Sequence, residues 1–114
     1  TRIPDIEKEI SDMSDYVKKM VDNVLVAYVK TDEKDARTIA NMDQRVNDYF
    51  NRIYNATIKN MQANPETVIS GTDYLNVASY LERIGDYVTN ICEWIVYLAT
   101  GKITELNTNH NEIF

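Results

Sequence analysis

At 114 residues and 13.2 kDa the chain has the size of one small domain built on a single core. Hydrophobic residues make up 44% and charged residues 26%, the balance of a globular chain rather than a disordered one. A net charge of −6, with no cluster of lysine and arginine, argues against nucleic acid as a partner.

The single cysteine, Cys92, permits neither an intramolecular disulfide nor a cysteine-based zinc site, and it fits a reduced, intracellular setting. No apolar run approaches the roughly 18 residues of a membrane span, and the first residues carry no signal-peptide pattern. The sequence opens Thr1-Arg2-Ile3. Either an initiator methionine was removed or the chain is a piece of a longer protein.

Only three glycines and two prolines punctuate the sequence, which favours long helices. In the first segment Ile3, Ile6, Ile10, Met13, Val17, Met20, Val24 and Ala27 alternate three and four residues apart, an a/d seam over more than three heptads. Val21, Leu25 and Tyr28 add a second contact face. The pattern breaks at Thr31-Asp32-Glu33-Lys34-Asp35, where Thr31 or Asp32 can cap the next helix. The second seam runs Ile39, Met42, Val46, Phe50, Ile53, Thr57 and Met61. It stops at Asn64-Pro65, read as N-cap and first residue of a third helix, with Ser70-Gly71 as a kink or a late true start. Leu75, Ala78, Leu81, Val88, Ile91, Ile95 and Leu98 are the expected core face of that helix, and Gly101 ends it.

Helices of about 28 to 34 residues, hence about 42 to 50 Å, joined by short connections give an all-α, elongated, antiparallel up-down-up three-helix bundle over residues 1–103. Residues 104–114 read as a polar, frayed tail.

The third helix carries Glu82, Asp86, Asn90 and Glu93 along an otherwise apolar stretch. At 100° per residue these four lie at about 0°, 40°, 80° and 20°, one narrow stripe. Gly85 beside them costs about 1 kcal/mol of helix propensity and leaves bare backbone that another helix or a ligand can approach. The second helix offers Asp43, Asn47 and Asn51 at four-residue steps. Two such oxygen-rich stripes could converge on a hard or borderline cation, or they could form a plain solvated face with Glu82 and Arg83 as surface charges. Spacing alone leaves both open. A ferritin-like di-iron site needs two Glu-x-x-His pairs, and the sole histidine, His110, lies in the tail.

The run Glu82-Arg83-Ile84-Gly85-Asp86, then Asn90-Ile91-Cys92-Glu93 and the aromatic stretch to Gly101-Lys102, closely resembles the signature helix of the PhoU family. The lead-in from Met61 to Pro65 with Thr67 and Ile69, and Asp43-x-x-Val46, are similar to the same family. The resemblance implies one PhoU three-helix repeat, similar to the C-terminal of the two that members usually have. It implies a cytoplasmic, non-enzymatic regulator that negatively regulates phosphate uptake and phosphate-starvation signalling. The implied partners are the ATPase subunit of a phosphate ABC transporter, a sensor histidine kinase and a second copy in a homodimer, with membrane contact through partners only. It further implies a divalent or iron-type metal cluster on Glu82 and Asp86 with Asp43 and Asn47, and Asn90 and Glu93 as further candidates. Asn47 departs from the aspartate often found there, so that stripe loses a charge. A metal-storing or metal-sensing bundle is the alternative function.

Cys92, between Ile91 and Glu93, reads as a buried small hydrophobe. Met13, Met20, Met42 and Met61 read as core filler. Tyr74, Tyr80, Tyr87 and Tyr97 either supply a partner surface or line the bundle edges with hydroxyls in water. No nucleophile–base–acid set, phosphate-cradling loop or organic-cofactor fingerprint is present. A dimer through the heptads, if that were the function, would break on changing Val17 or Val46.

Overall fold

The computed structural model describes residues 1–101 and Leu106. Three helices, α1 (Pro4–Lys30), α2 (Glu33–Ala63) and α3 (Val68–Thr100), form a rod of 53 × 24 × 16 Å. Each helix packs against both others, and short turns make α1 and α3 run parallel with α2 opposed. The expected up-down-up bundle is the fold observed.

Local chemistry sets each boundary. Pro4 occupies the first turn of α1, where its missing N–H is no loss, and Asp5 and Glu7 face the positive helix end. The α1–α2 turn divides its work between the two candidate caps. Thr31 takes a left-handed conformation, φ 49°, and closes α1, while the Asp32 carboxylate accepts from the Asp35 amide at 3.0 Å and opens α2. The third helix starts later than Pro65. Residues Pro65–Thr67 form a 3₁₀ turn, in which Thr67 donates from both its amide and its hydroxyl to the Asn64 carbonyl. From Val68 the α-helix runs through Ser70 and Gly71 to Thr100 without interruption. Gly101, φ 75°, ends it as the sequence suggested.

The a/d seam of α1 fills the core: Ile6, Met13, Val17, Met20, Val24 and Ala27 are all buried. Ile39, Val46, Ile53 and Thr57 answer from α2, and Ala78, Val88, Cys92, Ile95 and Val96 from α3. Burial of such side chains contributes roughly 1.5–3 kcal/mol apiece and is the main force holding the rod together. Val17 and Val46 therefore lie inside one bundle, so a dimer cannot be formed through them.

Several expected positions fall elsewhere. Leu98 is exposed, and Leu75, Leu81 and Ile91 are half-buried. Leu25 and Tyr28, read as a second contact face, are covered by no element among the described residues. Tyr74 is buried and its hydroxyl is fully engaged: it donates to Glu7 Oε2 at 2.6 Å and accepts from the Ile3 amide at 2.8 Å. The Thr1 ammonium donates to Ser70 Oγ at 3.2 Å, so the start of α1 is clasped to the start of α3. Of the tail, Leu106 packs against the core and its amide donates to Glu93 Oε2 at 3.0 Å. That residue is docked rather than frayed, and the remaining tail, His110 included, lies outside the described residues.

Candidate functional site on the α2–α3 seam

The site is built around a missing side chain. A β-carbon on Gly85 would stand 2.6 Å from Asp43 Oδ1 and 3.3 Å from Val46 Cγ1. Only glycine lets the α2 carboxylate lie directly on the α3 backbone. Gly71 repeats the arrangement three to four turns earlier, against Met61 and Thr57. These two glycines set the close approach of the helix pair, and the resemblance-bearing Gly85 is explained by it.

Asp43 is fully buried, which sequence reasoning placed only beside the apolar seam. Next to it Thr89 donates its hydroxyl to the Gly85 carbonyl at 3.1 Å, also in the interior. Sequence reading missed Thr89, although its place one turn after Gly85 is the signal that could have found it. Cys92 sits within the field of two acids. Burial first, then the charges of Glu93 and Asp43, push its thiol up to about 12. The reading of Cys92 as an inert buried residue holds.

The polar stripe on α3 is not a solvated face. Glu82, Asp86 and Asn90 are half-buried and Glu93 is 2% exposed. Contacts fix which way it points. Ser70 and Tyr74 meet α1, whereas Gly71 and Gly85 meet α2. Turning from the first pair through the second leads on to Glu82, Asp86 and Asn90 at 100° per residue. On α2, Tyr49 and Arg52 meet α1 at Tyr16 and Glu9, and Asp43 and Met61 meet α3, which places Asn47 on the α3 side. By helical phase Asp43, buried against Gly85, and the half-buried Asn47 lie on the α3 side of α2, and Glu82 and Asp86 lie just past Gly85 on the α2 side of α3. Asn51, the next step of the α2 stripe, is exposed at the rim.

These donors are oxygen-rich, as a hard cation requires. Among the described residues, however, no three histidine, cysteine, aspartate or glutamate side chains gather as a metal site. The donors present are the Glu82 and Asp86 carboxylates on α3 and, from α2, the Asp43 carboxylate and the uncharged Asn47 amide.

The geometry can be set beside known proteins. The family model described as the PhoU domain matches residues 10–95. A phosphate-specific transport system accessory protein PhoU homolog from Clostridium acetobutylicum is 41% identical over 103 residues, 90% of this chain and 47% of the relative. The homolog from Streptococcus pneumoniae serotype 4 is 34% identical over 101 residues, 89% of this chain and 47% of its own length. A crystal structure of the phosphate transport system regulatory protein PhoU from Streptococcus pneumoniae superposes with a TM-score of 0.83 at 32% identity, covering 87% of this chain and 47% of that one. The chain spans about half the length of the relatives it matches. With the matched domain, the shared three-helix rod and identity above 30% across nine-tenths of its length, the chain belongs to the PhoU family.

Proposed function

We propose that the chain serves in the regulation of phosphate uptake and phosphate-starvation signalling, as a non-enzymatic, cytoplasmic adaptor. The observation that carries this reading is the 41% identity, over 90% of the chain, to a relative named as a phosphate-specific transport accessory protein. In this reading the protein works by contact, as a homodimer. It curbs uptake and signalling when phosphate is ample, by engaging the ATPase subunit of a phosphate ABC transporter and a sensor histidine kinase. A bundle with broad exposed apolar surface suits contact better than catalysis. No helix among the described residues is long and apolar enough to cross a membrane, so the reading assigns membrane contact to the partners.

The test is a pull-down of the transporter's ATPase subunit by the full-length protein, at low and high phosphate, beside a phosphate-starvation promoter reporter. Enrichment together with derepression of the reporter on deletion is expected. No enrichment at either phosphate level overturns the adaptor reading.

A metal-binding role is the second reading, favoured by one observation: Glu82 and Asp86, one turn apart on α3, are both half-buried rather than solvated. Elemental analysis of the purified protein beside a Glu82→Ala/Asp86→Ala variant decides it. Metal near stoichiometry in the parent and lost in the variant supports a bound divalent or iron-type ion. None in either leaves the stripe as a polar partner surface.

A further inference from the structure

The four methionines of the chain meet very different surroundings. Met13 and Met20 are fully buried in the core, whereas Met42 and Met61, both on α2, are half-buried. Met61 stands two residues before the end of α2, and residues 62–66 beyond it are exposed, so this end of the helix is open to small solutes. Its thioether is seated on bare backbone. A β-carbon on Gly71 would stand 2.5 Å from Met61 Sδ and 2.8 Å from Met61 Cγ, so the sulfur fills the space that the glycine leaves.

A third atom crowds the same point. The Cγ2 methyl of Thr57, one turn before Met61 on α2, would lie 3.1 Å from that β-carbon. Thr57 is 0% exposed, and its hydroxyl has no hydrogen-bond partner among the described residues. Such a hydroxyl is uncommon in a folded chain, because it gives up its bonds to water and gains none in return. The neighbouring thioether does not satisfy it, since sulfur in that form is only a weak acceptor. Methyl and hydroxyl branch from one β-carbon, and threonine populates two χ1 wells in a helix. Rotation therefore carries the hydroxyl to the place where the methyl now meets Met61.

A sulfoxide is a different neighbour. Oxidation of methionine replaces a flexible apolar group by a polar one, and an interior normally pays for the desolvated oxygen. Beside Met61 a donor is already waiting. We propose that Met61 is a site of reversible oxidation, at which the Thr57 hydroxyl receives the sulfoxide oxygen within the notch that Gly71 leaves open. The oxidant is a hydroperoxide, of which hydrogen peroxide is the simplest. A lone pair on Sδ attacks one peroxide oxygen, and the S–O bond forms as the O–O bond breaks. The sulfur is oxidised by two electrons. The departing oxygen is reduced, takes the proton of the transferred oxygen and leaves as water. A sulfoxide reductase restores the thioether with electrons from two thiols, which become a disulfide while the oxygen leaves as water. Cys92 is buried and does not compete for the oxidant. The modification marks the bundle without parting α2 from α3, and it does not depend on the phosphate role.

The test uses the full chain carrying Met42→Leu, a volume-conserving change that leaves Met61 as its half-buried methionine. After exposure to hydrogen peroxide, peptide mass spectrometry locates each added oxygen. Met61 is expected to react at least about tenfold faster than Met13 and Met20. Thermal unfolding before and after oxidation is then compared among this chain, Thr57→Val and Thr57→Ser. Thr57→Val removes a hydroxyl that has no partner, so its reduced form is expected to fold and to melt no lower than the parent. Oxidation is expected to lower the Tm of Thr57→Val by several degrees more than that of the parent. Thr57→Ser, which keeps the hydroxyl, is expected to shift as the parent does. Met61 reacting no faster than the core methionines, equal shifts in the parent and Thr57→Val, or a Thr57→Ser shift as large as that of Thr57→Val would each overturn the proposal.

Discussion

The Asp43 carboxylate rests against the bare α-carbon of Gly85, its Oδ1 2.6 Å from where a β-carbon would stand. The contact joins α2 to α3 at the point where the sequence carries its most recognisable motif. It also makes two chemically identical substitutions unequal. Gly85→Ala must displace a buried carboxylate and press on Val46. It is expected to lose about 1–2 kcal/mol net, after the gain in helix propensity of about 1 kcal/mol. Gly71→Ala meets chiefly the Met61 thioether, which can swing aside. It is expected to stay within about 0.5 kcal/mol of the parent or to exceed it. Urea unfolding of both variants makes the comparison, and equal losses would refute the stated role of Asp43.

At the α1–α2 turn, neighbouring residues should respond with opposite signs. Thr31 is a β-branched residue held at φ 49°, so Thr31→Gly is expected to stabilise by about 1 kcal/mol. Asp32→Ala removes the side-chain acceptor for the Asp35 amide and is expected to cost about 1 kcal/mol. Thermal unfolding of the pair reads both.

How much of this was legible beforehand differs by residue. The a/d seams and Gly101 were readable because helical period and left-handed caps are local properties. Asp32 was one of two candidates and needed the observed backbone to separate it from Thr31. Leu98 was misplaced because its seam and the true core seam both repeat every 3.5 residues, about 120° apart on α3, and period alone cannot say which one a bundle buries. Tyr74 was misread because its partners, Glu7 and Ile3, are about 70 residues away in sequence. For the candidate site, the polar stripe and Gly85 were legible as a pattern. The full burial of Asp43 was not, since it depends on the closeness of a second helix.

The clasp at the chain start gives a pH dependence. The Arg2 guanidinium, at 2.7 Å, and then the Tyr74 hydroxyl hold Glu7 well below its ordinary value of 4.5, at about 2. A depressed carboxyl pKa means that the folded state prefers the ionised form. Its contribution is complete above about pH 4.5 and is lost as pH falls toward about 2. Glu7→Gln is expected to melt a few degrees below the parent at neutral pH and together with it at the acid end, the modest size reflecting solvent screening. Tyr74→Phe should melt lower than the parent at neutral pH, and its deficit should shrink over the same window.

The thiol of Cys92 should be silent in the native protein. With burial and two acids pushing it up to about 12, almost no thiolate exists at neutral pH. Reaction with an aromatic disulfide reagent is expected to be slower by at least about a hundredfold in the folded chain than in denaturant. Rapid native labelling would contradict the described packing of α3.

The sole tryptophan of the chain lies on the outer face of α3 rather than in the core, with Tyr97 edge-on at 5.5 Å. At 46% exposure its indole already meets water, so its emission starts toward the red. Whatever covers α3 will shift that emission to the blue, and Tyr97 beside it will feed it excitation energy. The molecule therefore reports occupancy of its own outer face by intrinsic fluorescence, without an added label.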